Sequence, residues 1–148
     1  MEYQVTVKGV LHHLGIGKSY SGYHYILYGM ELIEKDEEAL MNITKFLYID
    51  IAKEFKTSHT CVERNIRKVI EVIWEHSDKN RKLILKIFGK QHLLQKPSNK
   101  AFLELLYEYI KANSLFEDLL NNSDMMCPIT KQLCAAYREI IEKLVNID

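Results

Sequence analysis

Apolar residues recur along the chain at the three- and four-residue spacing of helices, and no run alternates apolar with polar long enough to argue for a strand. The fold predicted is all-α: a compact helical bundle containing a helix-turn-helix, followed by extra C-terminal helices. A short helix over part of residues 4–14 ends at Gly15-Ile16-Gly17, where glycines weaken a helix and suit the turn. Ser21 is placed to cap a second helix with Tyr25, Leu27, Tyr28, Met30, Leu32 and Ile33 on its apolar side. Asp36 opens a third, with Glu37 and Glu38 at the positive end of its dipole and Leu40, Met41, Ile43, Phe46 and Leu47 behind them. Beyond residue 76, Asn80 starts a short segment ending at Phe88-Gly89, and Lys96-Pro97-Ser98-Asn99 approaches and caps a helix over about 99–112. The remainder is expected to form a separate extension, residues 113–148 beside a domain of residues 1–112. It comprises a turn of helix over 114–120, a breaker cluster at Asn121-Asn122-Ser123-Asp124 and a last helix opened by Cys127-Pro128. That last helix carries Ile129, Leu133, Ala136, Tyr137, Ile140, Ile141 and Leu144 as one stripe. The stripe either packs back on the domain or makes residues 113–148 a homodimerisation element.

Residues 48–73 hold the most informative pattern. Ile51 and Phe55 lie four apart on one helix, Ala52 is small enough for a second helix to cross closely, and Lys56-Thr57-Ser58 makes the turn. Thr60 with Glu63 three residues on forms a capping box, so the second helix is expected to begin at or just before Thr60 and to run over about 59–76. Its inward stripe is Val62, Ile66, Val69, Ile70 and Ile73, and its outward face presents Cys61, Glu63, Arg64, Arg67 and Lys68. In a helix-turn-helix the first turns of that outward face meet base edges. Arg64 and Arg67 can each donate two hydrogen bonds to a guanine, and Glu63 can accept from a cytosine amine. Lys56 falls where the backbone prefers Gly or Asn, so strain is expected there.

The charge distribution sharpens this reading. The chain of 148 residues is neutral overall, yet residues 1–50, 51–100 and 101–148 carry nets of −3, +7 and −4. No acidic residue occurs from Lys79 to Leu103. One basic face between acidic flanks suits a polyanion such as DNA, and equally a plain solvated lysine face. Expected phosphate contacts are Lys53, Lys56, Ser58, His59, Thr60, Lys68, Lys82, Lys86 and Lys96.

Other chemistry is weak. Gly15-Ile16-Gly17-Lys18-Ser19 looks like a phosphate loop, but His12 stands where its first glycine must be. The six histidines are scattered, and adjacent His12 and His13 diverge on a helix, so no metal site is expected. No nucleophile, acid or base constellation emerges, so neither a catalytic role, a cofactor nor a small-molecule substrate is expected. Tyr20, Tyr23, Tyr25, Tyr28 and Trp74 read as core and interface residues. Three cysteines, Cys61, Cys127 and Cys134, follow no ligand spacing and read as free thiols. With no leader and no segment of about 18 apolar residues, the expected address is the cytoplasm, away from membranes.

Leu47-Tyr48-x-Asp50-Ile51-Ala52-Lys53-x-Phe55, Val62-Glu63-Arg64-x-Ile66-Arg67, Ile70-Glu71-Val72-x-Trp74 and Lys96-Pro97-x-Asn99 resemble the C-terminal effector domain of the stage-zero sporulation protein A family. The resemblance covers about residues 9–112, including Gly22-Tyr23-x-Tyr25 and Ile43-Thr44-Lys45. It implies an all-helical bacterial transcription-factor domain that binds double-stranded DNA as tandem or paired copies. It also implies that Glu63, Arg64 and Arg67 read bases or hold phosphates. Cys61 stands where the family usually has a further arginine, Ile49 where it has a proline and Lys56 where it has an asparagine. The family joins this domain to an N-terminal phosphoacceptor receiver, for which the residues before Gly9 leave no room. Control is therefore expected not to run through phosphorylation within this chain. A second reading, motivated by Cys61 and the missing receiver, is a helical protein-interaction adaptor that kept the fold and lost DNA readout.

Overall fold

The computed structural model describes the backbone of residues 2–121 and the side chains of residues 7–113. Its order is α1 (Glu2–His13), α2 (Ser21–Lys35), a 3-10 turn (Glu37–Leu40), a π turn (Ile43–Leu47), α3 (Tyr48–Phe55), α4 (His59–Glu75), α5 (Ser77–Phe88), α6 (Gln91–Leu94) and α7 (Asn99–Asn121). No strand occurs among the described residues, and the fold is all-α. The expected breaker cluster beyond Asn121, the last helix with its apolar stripe, Cys127 and Cys134 lie outside the described residues.

The centre of the molecule is α4. Val62, Ile66, Val69, Ile70 and Ile73 are all at most 1% exposed, so the inward stripe is as expected. It packs on α2 through Ile26, Met30 and Ile33, on α3 through Ile51, and on α7 through Phe102, Leu106 and Ile110, all within one core. At one end Phe88 stacks on Phe102 with centroids 5.2 Å apart, and Trp74 meets Phe88 edge-on at 5.2 Å. At the other, Tyr25 and Tyr28 meet the ring of Phe55 at 5.1 and 5.9 Å. The tyrosines and the tryptophan are structural, as expected.

Several boundaries differ from expectation, each for a local reason. Ser21 is the first residue of α2 rather than its cap; Tyr20 holds the cap position without a side-chain bond. The helix expected from Asp36 to Leu47 is two separate short turns, one 3-10 and one π. The Asp36 carboxylate accepts from the Glu38 amide at 3.0 Å and the Asn42 side chain from the Lys45 amide at 3.2 Å. Each such bond starts a new turn in competition with the α-helical ladder. Met41 and Phe46, expected on an apolar face, are consequently 79% and 54% exposed. Asn80 does not start α5, which begins at Ser77. It is buried, and its amide donates to the Leu14 and Ile73 carbonyls at 3.2 Å each, tying the end of α1 to the end of α4. Gly89 ends α5 with φ +87°, which suits a residue without a side chain. Finally, α7 does not stop near residue 112; it runs unbroken to Asn121.

A surface clamp holds α7 against the 3-10 turn. Tyr107 Oη and Lys111 Nζ donate to the Glu37 carboxylate at 2.7 and 2.9 Å. The hydrogen bonds from Lys111 and Tyr107 lower the Glu37 pKa, while burial and the bond to Glu37 push Tyr107 up to about 12. A lowered carboxyl pKa contributes stability above the unfolded value of 4.5, lost as pH falls through the folded value. A raised phenol pKa contributes below 10, and that part is lost between 10 and about 12. Melting temperature measured against pH for Glu37→Gln checks the acid limb. The wild-type advantage is expected at neutral pH and should close well below pH 4.5; a gap persisting in acid would exclude the charged clamp.

Candidate nucleic-acid interface

The turn between α3 and α4 follows from its sequence. Lys56 adopts the left-handed conformation, φ 54° and ψ 49°, a strain of about 1 kcal/mol for a residue with a side chain. It ends α3 as the Thr57 amide bonds back to the Ala52 carbonyl at 2.9 Å. The cap of α4 is Ser58, not Thr60: Ser58 Oγ accepts from the Cys61 amide at 3.1 Å. Thr60 instead bonds the same Ser58 hydroxyl at 3.1 Å. The expected capping box is therefore absent, and Glu63 is released for another partner. The amides of His59 and Thr60 meet no acceptor among the described residues. At the positive end of a seventeen-residue helix they are donors suited to a phosphate.

Glu63 pairs with Arg67. Arg67 Nη2 donates to Glu63 Oε2 at 2.6 Å, with the side chains 51% and 38% exposed. Two of the three candidate base-contacting residues thus engage each other on the surface. Arg64 is exposed and makes no ion pair among the described residues. An exposed pair spaced i,i+4 is worth only about 0.3–0.5 kcal/mol. A bidentate arginine–guanine contact is worth about 1–3 kcal/mol, so Arg67 can leave Glu63 for a base at a net gain. Cys61 is half-buried: the Asn65 amide donates to its carbonyl at 2.8 Å and its Sγ at 3.3 Å. Asn65 is thereby turned to its own helix.

The candidate phosphate contacts fall into separate groups. Lys53, Lys56, Ser58, His59 and Thr60 are exposed together around the turn and the start of α4, and Lys68 is exposed further along it. Lys82 and Lys86 are exposed on α5, and no hydrogen bond or ion pair among the described residues joins them to the α4 group. Lys96 is exposed beside α4, 3.8 Å from Glu71.

Sequence reasoning missed the residue that fixes how α4 is held. Asn99, read as part of a cap, donates through its amide to the Tyr48 hydroxyl and to the Glu63 carbonyl, both at 3.0 Å. One side chain at the start of α7 thus joins α3 to the first turns of α4, while Ser98 Oγ does the capping, accepting from the Ala101 amide. Burial raises the pKa of Tyr48, so its hydroxyl stays neutral in this role. The signal was present in Lys96-Pro97-x-Asn99, but spacing alone could not distinguish a clamp from a cap. Among the described residues, no three His, Cys, Asp or Glu side chains gather as a metal site would require.

The sequence matches a protein-family model, that of the sporulation initiation factor Spo0A C terminal, over residues 7–110. The chain belongs to that family. The Spo0A C-terminal family is one of DNA-binding transcription-factor domains, not enzymes, and the match runs from within α1 through the helix-turn-helix of α3 and α4 to the middle of α7. No described helix is long and apolar enough to cross a membrane.

Proposed function

We propose that this protein is a sequence-specific transcriptional regulator that lays the first half of α4 in the major groove of double-stranded DNA. The observation carrying this reading is the outward face of α4: Arg64 and Arg67 stay exposed while the opposite stripe of the same helix is buried in the core. In this reading Glu63, Arg64 and Arg67 select bases. Lys53, Lys56, Ser58, His59, Thr60, Lys68, Lys82, Lys86 and Lys96 hold phosphates and fix the register. Residues 113–148 bring two copies together, and the cytoplasm is the compartment. Selecting bound duplexes from a random pool with the full chain tests the proposal; enrichment of one sequence is expected, and a pool that stays random would refute it.

The adaptor reading draws on the exposed Met41 and Phe46 beside the acidic Glu37 and Glu38. It differs by retaining no duplex in the same selection.

Phosphate contacts release counterions, so affinity should fall steeply with salt. Lys82→Ala is expected to weaken preferred and random duplexes alike and to reduce the slope of log affinity against log salt by about one. A loss confined to the preferred duplex would remove Lys82 from the phosphate set.

A further inference from the structure

Among the described residues, the most exposed large apolar one is Leu94, at 100%. Single exposed leucines are common on protein surfaces, but this one is held in place on both sides. Leu93 packs against the core, and Trp74 Nε1 donates to the His92 carbonyl at 2.5 Å. The His92 ring, through Nδ1, reaches the Gln95 carbonyl at 3.2 Å, closing a turn with Leu94 at its tip. Pro97 is buried just beyond. The leucine is therefore presented on a fixed support and gives up little loop entropy on binding.

Its surroundings specify the kind of surface it meets. Lys90 and Lys96 flank it, Lys86 lies in the last turn of α5 just before the Gly89 break, and the whole stretch from Lys79 to Leu103 lacks an acidic residue. Glu71 and Glu104 approach only Lys96 and Lys100, loosely, at 3.8 and 3.9 Å, leaving the surface cationic. One leucine is too little for a lipid surface, whereas a single side chain is what a narrow groove or a base step admits. The turn is tied to α4 at Glu71 and Trp74, seven to ten residues beyond Arg64. At 1.5 Å per residue the offset along the helix is roughly 10–15 Å. This is close to the major groove's width of about 12 Å, so a support at that offset lies toward the groove's edge, where one phosphate backbone separates it from the neighbouring minor groove.

We infer that residues 90–96 form a second DNA-reading element, with Leu94 entering the minor groove that flanks the site of α4 while Lys90 and Lys96 hold the phosphates on either side. This element rests on the proposed duplex binding and adds a groove to it. Apolar insertion partly unstacks a base step and bends the duplex, so it favours flexible pyrimidine–purine steps over stiff ones. Leu94 thereby confers sequence preference at a position outside the arginine contacts.

The test uses the full chain and duplexes carrying the pool-selected core, with the flank changed from a TA step to a G·C step. Dye-labelled duplex ends report bending. Wild type is expected to prefer the TA flank by about tenfold and to bend it. Leu94→Ala should bind both flanks about equally, with reduced bending and an unchanged melting temperature, since a fully exposed side chain supports no packing. Undiminished flank preference and bending in Leu94→Ala would overturn the inference and leave duplex binding by α4 intact. So would a change in self-association by light scattering with DNA affinity untouched. Failure of the wild-type chain to retain any duplex would overturn both readings together.

Discussion

Arg64→Ala is expected to weaken binding to the preferred duplex by about 1–3 kcal/mol while random duplex loses much less. Specificity at one base pair should then collapse with affinity. Arg64 is the cleanest of the three candidate readers: its side chain is exposed and has no ion pair to exchange among the described residues. Arg67→Ala should cost somewhat less, because in the free protein Arg67 already holds Glu63 at 2.6 Å and that pair must open first. Glu63→Gln separates the two roles of the pair. If Glu63 only parks Arg67, the glutamine variant should bind at least as tightly, since a carboxylate that repels phosphates is gone. If Glu63 accepts from a cytosine, affinity should fall with loss of preference at that base. Competition binding at two salt concentrations measures all three, because removing a cation from a phosphate changes the salt slope and removing a hydrogen bond to a base does not. Equal losses on preferred and random DNA for Arg64→Ala would remove the arginine from base reading.

What the sequence made legible divides along one physical line. Periodicity reports burial, and every member of the α4 stripe from Val62 to Ile73 is buried as that spacing requires. The left-handed Lys56 was equally legible, because three residues between two helices leave few conformations. The same local rules failed where two local bonds compete. Ser58 and Thr60 both suit a cap, and only the geometry of the turn gives the Cys61 amide to Ser58. Asp36 and Asn42 each close their own turn and break a helix that periodicity alone would continue through Phe46. Side chains acting across the fold were beyond any local rule. Asn99 reaches Glu63 over 36 positions and Asn80 reaches Leu14 over 66, and neither partner is marked in the sequence. For the site, the residue types, their helix face and the place of Lys82 and Lys86 on a later segment were legible, but the Glu63–Arg67 pair was not.

The same distinction identifies the substitution expected to harm the fold most for its size. A Cβ at Gly22 would lie 2.3 Å from the Asn65 carbonyl oxygen, 2.6 Å from Val69 Cγ2 and 2.9 Å from the Asn65 carbonyl carbon. Two of these atoms are backbone of α4, so no side-chain rotation relieves the clash and the two helices must separate. Overpacking of this kind costs about 1–3 kcal/mol, more where backbone must move, against a helix-propensity gain of at most about 1 kcal/mol for replacing glycine. The net expectation for Gly22→Ala is a loss of about 2 kcal/mol, or roughly 5–10 °C in melting temperature for a domain of this size. Gly9→Ala is the matched control. Gly9 also sits in a helix, but nothing lies within 4 Å of its Cβ position, so the propensity gain should appear alone and raise stability slightly. Because α4 carries both the clash and the arginines, Gly22→Ala should also lower DNA affinity under conditions where the variant is still folded. A variant as stable as wild type would mean that α2 and α4 do not cross at Gly22, and the orientation of the arginine face would fall with that crossing.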